Sequence, residues 1–239
     1  MALTINIPYF NDGKYLLMWL DHMYELEEYT DVQFCVCDDA STKVSAESII
    51  RSSGVPRNLK LYRVKENLGF NAHGCRNLMM KETTTEWNLL IDVDNLFISS
   101  DRIKDLDSLV KNPDIFYILY PESGRSNNTF LITKQCFWRA SGYDEETTGI
   151  HAGDTLFLNH GLRKYFKEEI LEGYHVEVRY GRNVYYKKHF KDPYPDDDTL
   201  FHNLRPERWI AIRDMCIERY RNNIEYTKPI IRFNWERLI

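Results

Sequence analysis

Short apolar segments alternate with helical repeats along the first part of the chain. Segments of strand length lie at residues 3–8, 31–38, 59–64 and 87–91, and hydrophobic positions recur at helical spacing between them. The second segment is apolar on both faces, which is typical of a central parallel strand covered by helices on both sides. The alternation therefore predicts an α/β fold with a mostly parallel central sheet flanked by helices.

The remaining elements are predicted from the same periodicities and from turn and cap residues. Asn11 or Asp12 is expected to cap the first helix, and Gly161 is expected to end the short helix that Asp154 opens. Helices are predicted at residues 12–29, 42–50, 71–81, 134–140, 154–161 and 205–222. Further strands are predicted at residues 115–119, 129–133, 176–178 and 184–186.

Charge and composition argue against a nucleic-acid-binding, a membrane-spanning and a disulfide-rich protein. The net charge is −5 and the basic residues are scattered, so no nucleic-acid-binding surface is predicted. No apolar stretch approaches the ~20 residues of a transmembrane helix, and the first residues lack the basic region of a signal peptide. Five cysteines, an odd number, do not suggest a disulfide framework. We expect a soluble cytoplasmic protein, with peripheral contact to a membrane compatible with the sequence.

Carboxylate pairs follow two of the predicted strands. Asp38 and Asp39 end the second strand, and Asp92 and Asp94 follow the fourth. Ligands of open α/β sheets bind beyond the carboxyl ends of strands, and clustered carboxylates repel one another unless a positive charge lies between them. Mn²⁺ or Mg²⁺ suits such oxygen ligands and leaves positions open for phosphate oxygens.

Six short motifs occur in a fixed order between residue 3 and about residue 160. They are Ile7-Pro8-Tyr9-Phe10-Asn11, Asp38-Asp39-Ala40-Ser41, Asn67-Leu68-Gly69 with Cys75-Arg76-Asn77, Asp92-Val93-Asp94, Ser141-Gly142-Tyr143-Asp144-Glu145, and Gly153-Asp154. Because these motifs occur in the same order as in the family, the sequence resembles the family-two glycosyltransferases and their GT-A relatives. The resemblance implies a GT-A, Rossmann-like fold with a C-terminal helical extension.

The resemblance also implies a division of the chain. Residues 1–192 are expected to form the GT-A domain, with a nucleotide-sugar donor half at 1–95 and an acceptor half at 96–192. Residues 193–239 are expected to form a C-terminal loop and helical extension packed on the same domain. A homo-oligomer is compatible with the sequence.

Roles on the donor side follow from the matched motifs. The resemblance implies that Asp38 or Asp39 binds the base and that Asp92 faces the ribose. Asp94 is implied to ligate Mn²⁺ or Mg²⁺ with Asp92, and His189 is the candidate third ligand, ahead of His202 and His175. Arg76 is assigned to the nucleotide, with an ion pair to Asp38 or Asp39 as the alternative. The complete donor set is Pro8, Tyr9, Asn11, Asp38, Asp39, Arg76, Asp92 and Val93.

On the acceptor side, the resemblance makes Asp154 the general base that deprotonates an attacking hydroxyl. Its alternative role is an N-cap of the following helix. Tyr143, Asp144 and His151 are the candidate acceptor contacts. The family's pattern is not fully kept, because Gly153 stands where relatives carry an acidic residue, Ser141 replaces a glycine, and Asn95 stands where many relatives carry Asp.

The predicted reaction is transfer of one sugar, with inversion, from a nucleoside-diphosphate sugar to a hydroxyl of a glycan, lipid-linked or other acceptor. UDP is the family's commonest nucleotide. Two alternatives remain open at this point: a non-catalytic nucleotide- or sugar-binding module, and a nucleotidyltransferase. The second normally carries a Gly-rich basic loop after the first strand, where residues 9–12 read Tyr-Phe-Asn-Asp.

Overall fold

The structure, a computed structural model, describes most of the chain. It covers residues 2–27, 32–97, 99–109, 112–121, 128–149, 153–177, 206–222 and 231–239. The predicted strand at 184–186 lies outside these residues. Among the described helices, none combines the length and the apolarity needed to cross a bilayer.

A nine-stranded sheet runs through the described residues, in the order β5-β8-β6-β7-β4-β1-β2-β3-β9. Strands β1 to β4 are mutually parallel, β6 and β8 are parallel to each other, and β5, β7 and β9 are antiparallel to their neighbours. The strands are β1 (Leu3–Tyr9), β2 (Val32–Asp38), β3 (Leu59–Val64), β4 (Trp87–Leu90), β5 (Asn95–Phe97), β6 (Ile115–Pro121), β7 (Phe130–Thr133), β8 (Lys167–Glu177) and β9 (Trp235–Arg237). The mostly parallel sheet that the sequence predicted is thereby confirmed.

Helices cover both faces of this sheet. On β2, Phe34 and Val36 join one apolar cluster, whereas Cys35 and Cys37 join another on the opposite face, as the doubly apolar pattern predicted. The helices are α1 (Gly13–Glu25), α2 (Ala46–Ser53), α3 (Ala72–Glu82), α4 (Ser100–Leu109), α5 (Lys134–Arg139), α6 (Gly153–Leu156), α7 (Arg163–Tyr165) and α8 (Pro206–Arg221). A 3-10 turn at Glu145–Thr147 precedes α6, and a π-helical turn at Phe157–Leu162 joins α6 to α7.

Two predicted helix boundaries are wrong. Helix α2 begins at Ala46 rather than near residue 42, because side chains hold the preceding residues in a loop. The carboxylate of Asp38 accepts from the backbone N–H groups of Ser41 and Ala46, both at 2.8 Å. Gly161 does not end its helix, since the π-helical turn carries the chain on into α7. Its missing side chain instead leaves room for the ring of Tyr220 on α8.

The cap predicted for α1 is also wrong. Asp12 occupies the N-cap position but makes no side-chain capping bond. The side chain of Asn11 turns away from the helix, and its amide oxygen accepts from the backbone N–H groups of Thr42 at 3.1 Å and Lys43 at 2.8 Å. Asn11 therefore ties the end of β1 to the loop before α2.

Besides the predicted helix, the C-terminal residues form a strand of the sheet and contact α3 and the 3-10 turn. Strand β9 pairs antiparallel with β3 at the edge of the sheet. The ring of Phe233 lies over Gly74 of α3, where a Cβ would come closer than 3.0 Å to it. The carboxylate of Glu145 accepts from the backbone N–H groups of Ile231 at 2.6 Å and Arg232 at 3.0 Å. The C-terminal segment is therefore fastened to the turn that follows Tyr143, and the division at residue 192 stays a prediction.

Replacing Gly74 by Ala tests this contact. The added methyl collides with Phe233 and with the side chain of Asn71. We expect the free energy of unfolding in urea to fall by about 1–3 kcal/mol, although Ala favours a helix over Gly. The double variant Gly74→Ala with Phe233→Ala should lose less than the sum of the single losses, because the collision partner is gone. Additive losses would contradict the contact.

Candidate active site

The carboxyl ends of β1 and β2 lie side by side and bring the first two polar motifs together. Tyr9 pairs with Asp38 in the register of the two strands, and the N–H of Asp39 donates to the carbonyl of Tyr9 at 2.8 Å. The side chain of Tyr9 is buried, and its hydroxyl donates to the carbonyl of Val44 at 2.8 Å. Pro8 and Tyr9 therefore shape the edge of the site through their backbone.

The two aspartates of this edge have different surroundings. Both oxygens of Asp38 are held by backbone N–H groups of the loop before α2. Asp39 accepts from the N–H of Asn71 at 2.8 Å through Oδ2, while its Oδ1 is buried and has no hydrogen-bond partner among the described residues. Asp39 is thus the member of the pair with an acceptor oxygen to offer a ligand.

The pKa of Asp39 is strongly raised. Burial raises the pKa of this carboxyl to about 7, against the N–H of Asn71, which lowers it, and with a further rise from the negative charge of Asp38. A donor that reaches Oδ1 would satisfy the one oxygen that the fold leaves unpaired. The unpaired buried oxygen and the raised pKa together make Asp39 a candidate for ligand binding.

Arg76 of α3 is the centre of the site and is completely buried. Its Nη1 donates to Oδ1 of Asp154 and, at 3.1 Å, to the hydroxyl of Tyr143. Its Nη2 donates to Oδ1 of Asp92 at 2.5 Å and to the carbonyl of Asn128 at 3.0 Å. The ion pairs of Arg76 are therefore with Asp92 and Asp154, and not with Asp38 or Asp39 as the alternative assignment had it.

Asp154 is held by its Oδ1 alone. The hydroxyl of Tyr143 donates to Oδ1 at 2.9 Å, beside Arg76. No donor among the described residues bonds Oδ2, which lies 3.6 Å from Nε2 of His73. Burial alone would raise the pKa of Asp154, but Arg76 first and then His73 and Tyr143 lower it to about 2. The carboxylate bonds no N–H of its own helix, so the alternative role as an N-cap is not supported.

Hydrogen bonds from Trp19, Arg76 and Asn128 hold the acidic turn at residues 92–94 after β4. The indole N–H of Trp19 on α1 donates to the carbonyl of Val93 at 3.1 Å. Asp92 is held at both oxygens, by Arg76 and by the amide of Asn128 at 2.5 Å. Asp94 accepts from the amide of Asn95 at 3.3 Å and is only half-buried. Of the two motif carboxylates, Asp94 is thus the better placed to meet a cation.

The remaining predicted ligands are not brought into this turn by the described residues. His189, His202 and His151 lie outside those residues, and the backbone of His175 on β8 pairs with Phe97 of β5. Within the part of the chain that the structure describes, no group of three His, Cys, Asp or Glu residues could hold a metal ion. The third metal ligand and the acceptor contact of His151 remain predictions.

Two of the predicted acceptor contacts are buried. Tyr143 has no exposed surface, and its hydroxyl serves Arg76 and Asp154. Asp144 is 2% exposed and caps the 3-10 turn. Both oxygens of its carboxylate accept hydrogen bonds from Nη1 of Arg219, each at 3.1 Å. Both side chains therefore make their hydrogen bonds within the protein, and their role as acceptor contacts remains a prediction.

Sequence reasoning missed three residues of the site: Trp19, His73 and Asn128. Trp19 is one of many apolar residues of α1 and has no separate sequence signal, and Asn128 belongs to none of the motifs. His73 lies inside the matched stretch around Arg76, but a single histidine carries no spacing that could identify it. Its signal is Gly153, whose missing side chain the fold requires, since a Cβ there would come closer than 3.0 Å to three atoms of the His73 ring.

Comparison with known proteins agrees with the motif order. The sequence profile of glycosyl transferase family 2 matches residues 4–175, which is most of the chain. The chain belongs to glycosyl transferase family 2. No curated protein matches its sequence significantly.

Solved structures show the fold of this family 2 chain. TarS of S. aureus, residues 1–349, superposes with a TM-score of 0.62 at 19% identity, over 74% of this chain and 60% of that one. The mannosyltransferase PcManGT of Pyrobaculum calidifontis, in complex with GDP-Man and Mn²⁺, superposes with a TM-score of 0.61 at 15% identity, over 92% of this chain and 73% of its own. The family 2 chain thus has the GT-A fold and spans about three fifths of the TarS fragment.

A pH-dependent stability measurement tests the buried carboxyl of Asp39. Because its folded pKa of about 7 exceeds the unfolded value, the folded state binds the proton more tightly. The free energy of unfolding should therefore fall as pH rises from about 4 to about 7. Asp39→Asn should remove this loss, on the order of 3 kcal/mol, and so be more stable than wild type in urea at about pH 8. Equal pH dependence in both proteins would contradict the assignment.

Removing the guanidinium of Arg76 should be costly. In Arg76→Gln, Asp92 and Asp154 lose their buried counter-charge, and we expect a loss of about 3–5 kcal/mol in the free energy of unfolding. The matched control is Arg51→Gln, which breaks an exposed pair with Glu47 on α2 and should cost less than about 1 kcal/mol. Similar losses in both variants, measured in urea, would show that Arg76 does not hold the site together.

Proposed function

We propose that this chain transfers a single sugar from a nucleoside-diphosphate sugar to an acceptor hydroxyl, with inversion, using Asp154 as the base. The observation that carries the proposal is the buried bridge of Arg76 between Asp92 and Asp154. It joins the strand end that the family uses for the donor to the helix that the family uses for the base.

Asp39 supports recognition of the base. Its unpaired Oδ1 is an acceptor, so it suits a ring N–H, which uracil and guanine present and unprotonated cytosine does not. TarS has been solved in complex with UDP, and PcManGT in complex with GDP-Man. Both nucleotides therefore fit the chemistry of this edge, and a UDP-sugar is the first donor to test.

Asp94 is the proposed ligand of Mn²⁺ or Mg²⁺. Its carboxylate is hard and half-exposed, whereas both oxygens of Asp92 are engaged by Arg76 and Asn128. Such cations take one or two protein carboxylates and complete their shell with water and phosphate oxygens, which fits the few ligands present. When bound, the metal would neutralise charge on the departing diphosphate.

Asp154 has the geometry of a base with one committed and one available oxygen. Oδ1 is fixed by Arg76 and Tyr143, which orients the carboxylate, and Oδ2 receives no hydrogen bond from any described residue. A hydroxyl that donates to Oδ2 would be held for attack on the anomeric carbon from the face opposite the leaving diphosphate. One such displacement inverts the anomeric centre.

Nucleotide binding can be tested without knowing the acceptor. The melting temperature should rise with UDP or GDP in the presence of Mn²⁺, because a ligand bound only to the native state stabilises it by mass action. Asp94→Asn should lose most of the Mn²⁺-dependent part of this rise, and Asp101→Asn on α4 serves as a surface carboxylate control. If no nucleotide shifts the melting temperature with any divalent metal, the donor site is refuted.

The base is tested by Asp154→Asn. The isosteric amide keeps the contact with Arg76 but cannot accept a proton at neutral pH, so nucleotide-dependent stabilisation should persist. Release of UDP or GDP from UDP-N-acetylglucosamine or GDP-mannose should fall by about 100-fold or more. Near-normal release in Asp154→Asn would remove the base role and favour a module in which Asp154 merely holds Arg76.

A further inference from the structure

His73 lies behind Asp154 in a closed, fully buried space. Its ring stacks on Tyr143 with centroids 5.2 Å apart and meets the ring of Phe70 edge-on at 5.3 Å. The space exists because residue 153 is glycine, since any Cβ there would overlap the ring. The acidic residue that relatives carry before the base is thus replaced here by glycine together with a buried imidazole.

The hydrogen bonds of Thr147 determine which ring nitrogen of His73 carries the proton. The hydroxyl of Thr147 donates to the carbonyl of Asp144 at 2.6 Å, so its only proton is used. The same oxygen lies 3.2 Å from Nδ1 of His73 and can act there only as an acceptor. In this arrangement Nδ1 carries the ring proton, and in a neutral ring Nε2 is bare.

The bare nitrogen faces the available oxygen of the base. Nε2 has no hydrogen-bond partner among the described residues and lies 3.6 Å from Oδ2 of Asp154. That separation is too long for a hydrogen bond, and two unprotonated acceptors facing each other in a buried site are unfavourable. A single proton between them would turn this contact into an imidazolium–carboxylate pair.

Several charged and polar groups lie close to His73. Asp154 of α6 and the phenol of Tyr143 face the ring, and Arg76, which is on α3 like His73, binds both Asp154 and Asp92. One guanidinium and two carboxylates leave one net negative charge in this cluster. Asp154 cannot keep a proton itself, because Arg76 holds its pKa at about 2.

We propose that His73 is a positioning residue that acts through Asp154, receiving at Nε2 the proton that Oδ2 takes from the acceptor hydroxyl. This inference rests on the proposed glycosyl transfer. The O–H bond of the acceptor breaks as its oxygen bonds the anomeric carbon, and the bond to the diphosphate breaks with its electron pair leaving on the nucleotide. The proton passes from Oδ2 to Nε2 and leaves an imidazolium beside the carboxylate.

The tautomer can be read without any substrate. Nitrogen-15 NMR of histidine-labelled protein distinguishes a protonated from a bare ring nitrogen, and His73→Gln assigns the signals. At a pH where the ring is neutral, we expect the proton on Nδ1 and a bare Nε2. A proton on Nε2 in that form would overturn the proposal, whatever the activity of the protein.

Kinetics test the proton transfer itself, with UDP-N-acetylglucosamine or GDP-mannose, Mn²⁺ and the released diphosphate as readout. His73→Gln should lower kcat by about 10-fold or more and change the KM for the donor by less than about 2-fold. An unchanged kcat overturns the proposal. His160→Gln, on the π-helical turn, is the control.

A neighbouring pair of threonines keeps the test valid if His73→Gln does not fold. Thr147→Val removes the acceptor of Nδ1–H and should move the ring proton towards Nε2 and lower kcat. Thr148→Val is the matched control, because its hydroxyl bonds Glu145 and Asn71 and not the ring. Full kcat with an unmoved proton in Thr147→Val overturns the proposal. Absence of donor turnover in wild type refutes the proposed function alone, since the tautomer is read separately.

Discussion

A buried guanidinium between two carboxylates is the interaction on which this structure depends. Taking the charge of Arg76 out of water is tolerable only if its partners are in place, because an unpaired buried charge costs several kcal/mol. Asp92 arrives from the end of β4 and Asp154 from α6, 62 residues later in the chain, so one side chain fixes two distant segments. The packing around α3 therefore both buries apolar surface and keeps the carboxylates of Asp92 and Asp154 beside Arg76.

The same interaction affects how readily Asp154 can accept a proton. A guanidinium that orients a carboxylate also stabilises its charge, and so weakens it as a proton acceptor. Tyr143 adds a second donor to the same oxygen of Asp154. In the proposed transfer, this orientation of Asp154 is gained at the expense of its basicity, and a nitrogen base close to its other oxygen would offset that loss. His73, with Gly153 making its space, occupies that position.

Much of the fold was predictable because its first half repeats strand and helix with clear periodicity. Strand β8 was missed over most of its length, since Lys167–Glu177 is rich in charged residues and shows no apolar alternation. Strand β9 is three residues long and is defined by its pairing with β3 rather than by its own sequence. The motifs include Arg76 and the carboxylates it binds, yet no local pattern could state which carboxylates it meets. Tyr143 was predicted to contact the acceptor, and its burial could not be read from its own segment because burial depends on contacts between distant segments.

The fastening of Glu145 to the C-terminal segment has a consequence for how the protein is made. Ile231 and Arg232 leave the ribosome after every other part of the site, and they supply the backbone groups that bind this carboxylate. Until then the 3-10 turn at Glu145–Thr147 lacks one of its anchors, and β3 lacks its pairing with β9. The motif residues are therefore synthesised before the segment that anchors Glu145, and this anchor can form only after residues 231 and 232 have been made.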